Sequence, residues 1–349
     1  MAHRLVSMYG LKHLLLLPVL VTPLFIVTSA VTSACGAPEG TADSHVWLNS
    51  AEFSPDGKQV LAGCSDGSIR IWNVKSRTEV AQWQGHSRGV QTAVFSPDGK
   101  QILTCGSDQS ARVWESDTKK EVRRLIGLPN PVTAAVFSPD GRRLLTSAGS
   151  SAQVWESKTG QKLAELSGHE GGVFFAVYSH NGRQILTGSG DGTARLWEAN
   201  RGTQLRRLDV GVWVTQGAFS LDDQRVVISD REGAAIWRLA KERVERVLKG
   251  HKDYLTSVAV SPKGRLVVTG SQDEAGRLWE LGSGKEVRRW EDAGEIVRGQ
   301  RFTWGPIVST RFSPDGKFLL TATAGNVRVW DLRKTGQPLL LPYPGWKPE

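Results

Sequence analysis

Cysteine is scarce: Cys35, Cys64 and Cys105 are the only three in 349 residues. No cluster of cysteine and histidine has metal-site spacing, so no metal and no other cofactor is expected. No glycine-rich phosphate loop precedes a helix, which removes the nucleotide-binding classes built on one. After residue 34 there is no sustained helical periodicity, so the body of the chain is not helical. Free histidine is short as well. Beyond the first 34 residues only His45 and His180 stand outside a recurring pattern, which leaves little material for acid–base catalysis. Acid is in deficit, with 35 Asp and Glu against 44 Lys and Arg and a net charge of +9. A basic surface can favour nucleic acid, anionic lipid or acidic partners. Here the bases are interleaved with acids along the chain, which reads as a solvated surface rather than a nucleic-acid groove.

What the chain does have is glycine, 38 residues of it, as a protein made of turns and strands requires. Residues 93–115 show the unit. An apolar strand ends at Phe95, a Ser-Pro-Asp-Gly turn follows at 96–99, a second strand runs to Cys105, and a third closes on Trp114. Proline presets φ and glycine accepts the positive φ of the turn, so the stretch is a β-meander. The same pattern, in full or worn form, begins at Phe53, Phe95, Phe137, Tyr178, Phe219, Val260 and Phe312. Each copy leads to a tryptophan: Trp72, Trp114, Trp155, Trp197, Trp237, Trp279 and Trp330. Successive tryptophans fall 42, 41, 42, 40, 42 and 51 residues apart. A period near forty marks stacked units, none of which buries a core alone.

These residues resemble the WD40 family. The Trp-Asp ending survives only at Trp330 and Asp331; four copies have Glu, and the others have Asn73 and Arg238. The resemblance implies an all-β fold, a seven-bladed β-propeller of four-stranded antiparallel blades over residues 45–341. The innermost strand of each blade comes first. The loops before the first strand and after the second share one face, and the Ser-Pro-Asp-Gly turns lie on the other. The segment before His45 is too polar to supply the last outer strand, whereas Leu339, Leu340 and Leu341 have the right spacing for it. Blades 1 and 7 are therefore expected to meet without strand exchange.

Three copies carry a fuller polar set: His86, Thr104, Asp108 and Trp114; His169, Thr187, Asp191 and Trp197; His251, Thr269, Asp273 and Trp279. In the family these types at these spacings form a buried chain from Asp through His and Thr to the indole N–H. A His-Asp-Thr grouping also has the look of nucleophilic catalysis, but a set that ends on tryptophan, recurs three times and lies inside a blade is structural. The chain is accordingly read as non-catalytic. Blades 2, 4 and 6 also share paired arginines on the outer strand, at Arg123 and Arg124, Arg206 and Arg207, and Arg288 and Arg289. Charged outer strands block edge-to-edge aggregation, and only Trp290 beside them offers a stacking aromatic, so nucleic acid is not the expected partner. The alternation suggests an ancestral two-blade unit.

About ten extra residues lie around 292–306, with Arg298, Arg301, Phe302 and Trp304. They belong on the same face as Arg88, Trp213, Lys252 and Tyr254. Arginine and aromatics favour binding sites, so these eight residues form the candidate partner-binding face. Phe302 and Trp304 either bind or pack down over blades 6 and 7. Cys64 and Cys105 lie on second strands of neighbouring blades, and two buried free thiols are expected rather than a disulfide.

The start is different in kind. His3, Arg4 and Lys12 precede an apolar run over 14–27, then small residues lead to Cys35. That is the layout of an export signal over residues 1–34. Thr32, Ser33, Ala34 and Cys35 resemble the lipobox of bacterial lipoproteins, although Thr32 stands where leucine is usual. Two outcomes stay open: Cys35 is acylated and anchors the chain, or the signal is cleaved nearby and the protein is periplasmic or secreted. Residues 35–44 then form a polar tether and 342–349 a tail. The expectation is a monomeric, exported scaffold that binds another protein or peptide and touches membrane only through its N-terminus. The alternative is a propeller that binds or processes a small ligand at its central channel.

Overall fold

The structure is a computed structural model that describes residues 46–231, 233–291, 295–297, 300–302, 305–335 and 337–341. Cys35, the export segment, the tether, Arg298, Trp304 and the tail lie outside the described residues. The chain forms seven four-stranded antiparallel sheets, each with its strands in sequence order. Blade 1 comprises Leu48–Phe53, Gln59–Cys64, Ser68–Asn73 and Thr78–Gln84; blade 2 comprises Val90–Phe95, Gln101–Gly106, Ala111–Glu115 and Glu121–Leu125. Blades 3 to 6 repeat this from Val132, Val173, Gln216 and Leu255, and blade 7 begins at Ile307. In six blades the register shifts by one residue just before the tryptophan, a bulge that strengthens the local twist.

The core is divided among the junctions. Among the described residues seven apolar clusters occur, each shared by two adjacent blades. The ring closes on itself: Leu48, Ala51 and Trp72 of blade 1 pack with Leu320, Ala322 and Val329 of blade 7. Leu48 N–H donates to Ala324 O at 3.0 Å, and Ser309 Oγ donates to Ala51 O at 2.9 Å. The outer strand of blade 7 is Leu339–Leu341, paired with Val327–Asp331, so closure uses no exchanged strand. Burial of Val, Leu or Ile at such a site contributes about 1.5–3 kcal/mol each. Cys64 and Cys105 are both buried free thiols, and burial pushes them up to about 11 and about 12. They are inert at neutral pH.

The Ser-Pro-Asp-Gly turns form a second, polar ring. Ser96 Oγ donates to Asp98 Oδ1 at 2.6 Å and accepts Gln101 N–H at 2.9 Å, while Asp98 Oδ1 accepts Lys100 N–H at 3.1 Å. Gly99 takes φ +72°. A methyl on that glycine would sit 3.8 Å from Pro55 of the preceding blade, and the same contact links Gly57 to Pro314, Gly141 to Pro97, Gly182 to Pro139 and Gly316 to Pro262. Proline and glycine thus interlock successive turns as well as shaping each one. Between blades 4 and 5 the contact is polar instead: Asp223, itself at φ +53°, accepts the backbone N–H groups of His180 and Asn181 at 2.8 and 3.0 Å.

The paired arginines do more than guard an edge. The first of each pair crosses to the next blade: Arg123 Nη1 donates to Ser157 O, Arg206 pairs with Glu242, and Arg288 Nη1 donates to Lys334 O at 2.7 Å. Trp290 is buried against Trp330, with ring centroids 5.8 Å apart, so it is an inter-blade wedge and is closed to a stacking base.

Candidate binding face

The three polar sets are closed chains. Trp114 Nε1–H donates to Thr104 Oγ1 at 2.8 Å, and Thr104 Oγ1 lies 2.8 Å from His86 Nε2. His86 Nδ1 lies 2.8 Å from Asp108 Oδ1. An ionised carboxylate only accepts, so His86 Nδ1 carries the proton, Nε2 accepts from the Thr104 hydroxyl, and that hydroxyl is free to accept from the indole. The other two sets repeat this geometry at His169, Thr187 and Trp197 and at His251, Thr269 and Trp279. Burial works to raise the Asp108 carboxyl, but hydrogen bonds from His86 and Ser110 outweigh it and hold it at about 2. The Asp191 and Asp273 carboxyls are lowered in the same way, against the cost of burial. Burial lowers the His86 and His169 imidazoles and keeps them neutral. His86 and His169 are 1 % and 6 % exposed, which leaves no room for a substrate.

Each Asp has a second task that bears on binding. It accepts the backbone N–H just after its histidine: Ser87 at 3.1 Å, Glu170 at 3.1 Å and Lys252 at 2.9 Å. The set therefore fixes the loop leading into its blade at a set height. These inlet loops, with the turns after the second strands, make one face of the ring, the inlet face. Arg88, Lys252 and Tyr254 are exposed on it, and Trp213 is half-buried.

The structure brings Trp213 and Tyr254 together through Arg231, a residue outside the eight that sequence points to. The Arg231 guanidinium lies 5.2 Å from the Trp213 ring centroid and 4.4 Å from that of Tyr254, and Arg231 Nη2 donates to the Tyr254 hydroxyl. Arg231 stands six residues before Trp237, the slot that Asp108, Asp191 and Asp273 fill in their own blades. That substitution was the available signal. Arg88 belongs to the inlet loop of blade 2 and Lys252 to that of blade 6. Arg301 and Phe302 lie on a short hairpin, Glu295–Val297 paired with Gln300–Phe302. The insertion thus builds a two-stranded arm between blades 6 and 7.

A cavity of about 380 Å³ near the turn face is lined by Val94, Val136, Val177 and Tyr178 together with Glu52 and His180. Glu52 Oε1 accepts Phe95 N–H at 2.8 Å. Burial pushes the Glu52 carboxyl up to about 7, against the pull of Arg311 and that N–H.

The geometry is that of a repeat propeller, and comparison with known sequences agrees. The family profile described as "WD domain, G-beta repeat" matches residues 36–73, 77–115, 119–156, 160–198, 242–280 and 299–331, more than half of the chain. The protein belongs to the WD40 family. It is 33% identical over 123 residues to the small ribosomal subunit protein RACK1y of Oryza sativa subsp. japonica, a match covering 34% of this chain and 33% of that protein. It is 35% identical over 97 residues to cross-pathway control WD-repeat protein 2 of Flammulina velutipes, covering 28% of this chain and 27% of that protein. The matches thus span about a third or less of these relatives. The profile leaves residues 199–241 unmatched, the region that contains Trp213, Arg231 and Trp237.

Proposed function

We propose that this propeller is a non-catalytic interaction scaffold that holds another protein or peptide on its inlet face. One observation carries the reading: a rigid ring of seven blades presents Arg88, Lys252, Tyr254 and the Arg231 stack on a single face, while its histidine–aspartate sets point inward and end on tryptophan. The family and the two relatives named above support it by analogy. The scaffold is exported to the cell envelope, and acylation of Cys35 holds it at a membrane; roughly 0.8 kcal/mol per buried CH₂ makes a multiply acylated cysteine a stable anchor. The binding unit is a single ring. A second reading, a small ligand in the channel, draws on the cavity beside Glu52. It ranks lower because Glu52 is already engaged by Phe95 N–H and the field of Arg311.

Two variants test the face. Proteins captured by the full chain should be lost when Lys252 and Tyr254 are both changed to alanine and retained in Leu221→Asp, on the turn face. Equal loss in both would remove the inlet face from the account. For the anchor, Cys35→Ser should move the protein into the soluble fraction, and equal membrane retention of the two forms would count against acylation.

A further inference from the structure

We propose that the Trp213–Arg231–Tyr254 stack is the anchor point for a carboxylate of the partner, so that the segment gripped on blades 5 and 6 is acidic. This rests on the scaffold reading above and adds the chemistry of what is held.

The first observation is what blade 5 lacks. Blades 2, 4 and 6 spend their Asp on the inner chain that ends at the indole. In blade 5 the turn is one residue shorter, Arg231 stands six before the tryptophan with its side chain exposed, and among the described residues the buried Trp237 Nε1–H has no hydrogen-bond partner. The inlet loop of blade 5 is braced by the stack, and the Asp230 carboxylate lies against it beside Gly211.

The second observation is the form of the stack. Three loops converge on it, the inlet loops of blades 5 and 6 and the second turn of blade 5. Trp213 adopts φ +53°, a left-handed conformation that a bulky side chain takes only at a cost. Such strain persists where the surroundings over-determine it, and it concentrates at binding sites. Two aromatic faces cover the guanidinium, and among the described residues its hydrogen bond goes to a phenol rather than to a carboxylate. A stacked guanidinium is held in one plane with donors left along its edge. That is the geometry that reads a planar carboxylate by two parallel hydrogen bonds.

The third observation is the surroundings. Lys252 is exposed two residues before Tyr254, and Asp253 between them is tied down by accepting Tyr254 N–H at 2.8 Å. Val212, 52 % exposed, offers an apolar contact next to Trp213. The chain as a whole is at +9, which favours encounter with acidic segments.

The test is a titration of the isotope-labelled full chain with an oligoglutamate peptide, with oligoglutamine, oligolysine and phosphoserine peptides as comparisons. The chain has thirteen tryptophans, so the Trp213 indole signal is assigned by its loss in Trp213→Phe. The oligoglutamate peptide should shift that signal and the others should not. Arg231→Gln should weaken binding by at least about tenfold, as expected for loss of a charge-assisted pair, and Arg231→Lys should not restore it. Lys100→Ala, exposed on the turn face, should leave it unchanged. Equal binding in Arg231→Gln, equal loss in Lys100→Ala, or no binding of oligoglutamate would overturn the proposal, and preference for the phosphoserine peptide would replace carboxylate by phosphate. None of these outcomes touches the face test above, where Lys252 and Tyr254 are compared with Leu221.

Discussion

The even and odd blades share one backbone plan and differ in what fills it. Blades 2, 4 and 6 each hold a four-member polar chain and an outer-strand arginine that reaches the following blade. Blades 3 and 7 keep only the last link, Thr146 to Trp155 and Thr321 to Trp330, each at 2.9 Å. Blade 5 has Ile228 in the threonine position, opposite Ala235, and among the described residues its indole N–H has no partner. Specific polar wiring thus alternates around the ring while the apolar cores do not. Seven is an odd number, so one junction must join two odd blades. It is the seam between blades 7 and 1, and there the channel carries a different device, Glu52 facing the charge of Arg311.

If the wiring is what distinguishes the blades, cutting it should cost most where it is longest. Thr187→Val in blade 4 strands both the Trp197 N–H and the His169 imidazole. Thr146→Val in blade 3 strands the Trp155 N–H and leaves Gln153, 3.3 Å from Thr146 Oγ1, without its donor. Each variant leaves two buried groups unsatisfied, at about 1–3 kcal/mol each, but the Gln153 contact is long and therefore weak, so the first should lose about 4 kcal/mol in urea unfolding and the second about 2 to 3. Equal losses would mean that the imidazole link contributes no more than the Gln153 contact.

The seam makes the next contrast, this time in pH. Glu52 titrates near 7 in the folded chain against 4.5 in the unfolded one. A raised carboxyl favours the protonated folded state, so its contribution is full below about pH 4.5 and is lost as pH rises through 7. The neutral histidines of blades 2 and 4 run the other way: their pKa values are depressed by burial, so stability is lost as pH falls below the ordinary histidine range. Glu52→Gln removes only the first trend. Measured against wild type, its relative stability should climb by about 3 kcal/mol between pH 4.5 and 7, each pH unit in that window contributing about 1.36 kcal/mol. A flat difference would show that the seam carboxyl stays ionised throughout.

The parts that the sequence made legible were those set by local register. Trp114, Thr104, Asp108 and His86 fall at fixed spacings because two hairpins place them, and the same spacing found all three sets. Residue patterns also located the outer strand Leu339–Leu341 and the ring closure that follows from it. The Arg231 stack was hidden because it joins positions 213, 231 and 254 from three loops, and no period relates them. Glu52 and Arg311 were hidden for a stronger reason: they come from the two ends of the repeat array and meet only because the ring closes. The proline–glycine interlock escaped notice although every residue of it was in view, since a turn motif explains its own proline and glycine without calling on a neighbour.

The smallest effect is the most constructive, because it asks whether blade 5 can be rewired. Blade 3 satisfies its indole with two residues, Thr146 accepting from Trp155 and donating to Gln153, whose amide is held in turn by Ser151 at 2.8 Å. The register of blade 5 pairs Ile228 with Ala235 as that of blade 3 pairs Thr146 with Gln153. Ile228→Thr with Ala235→Gln should give Trp237 Nε1–H an acceptor and the new hydroxyl an acceptor of its own. Ile228 is itself buried, so the fair reference is Ile228→Val with Ala235→Gln, which gives up the same methylene and supplies no hydroxyl. A net hydrogen bond contributes about 0.5–1.5 kcal/mol, so the threonine variant should be more stable than that reference by about 1 kcal/mol. Ile228→Thr alone should be no better than Ile228→Val alone, because its hydroxyl proton would have nowhere to go. The stack on the surface above is built from other residues, so oligoglutamate binding should not change. Gain in stability with unchanged binding would show that the loss of wiring in blade 5 was not needed for the site. Loss of binding would show that the loosened blade is part of how Arg231 reaches the surface.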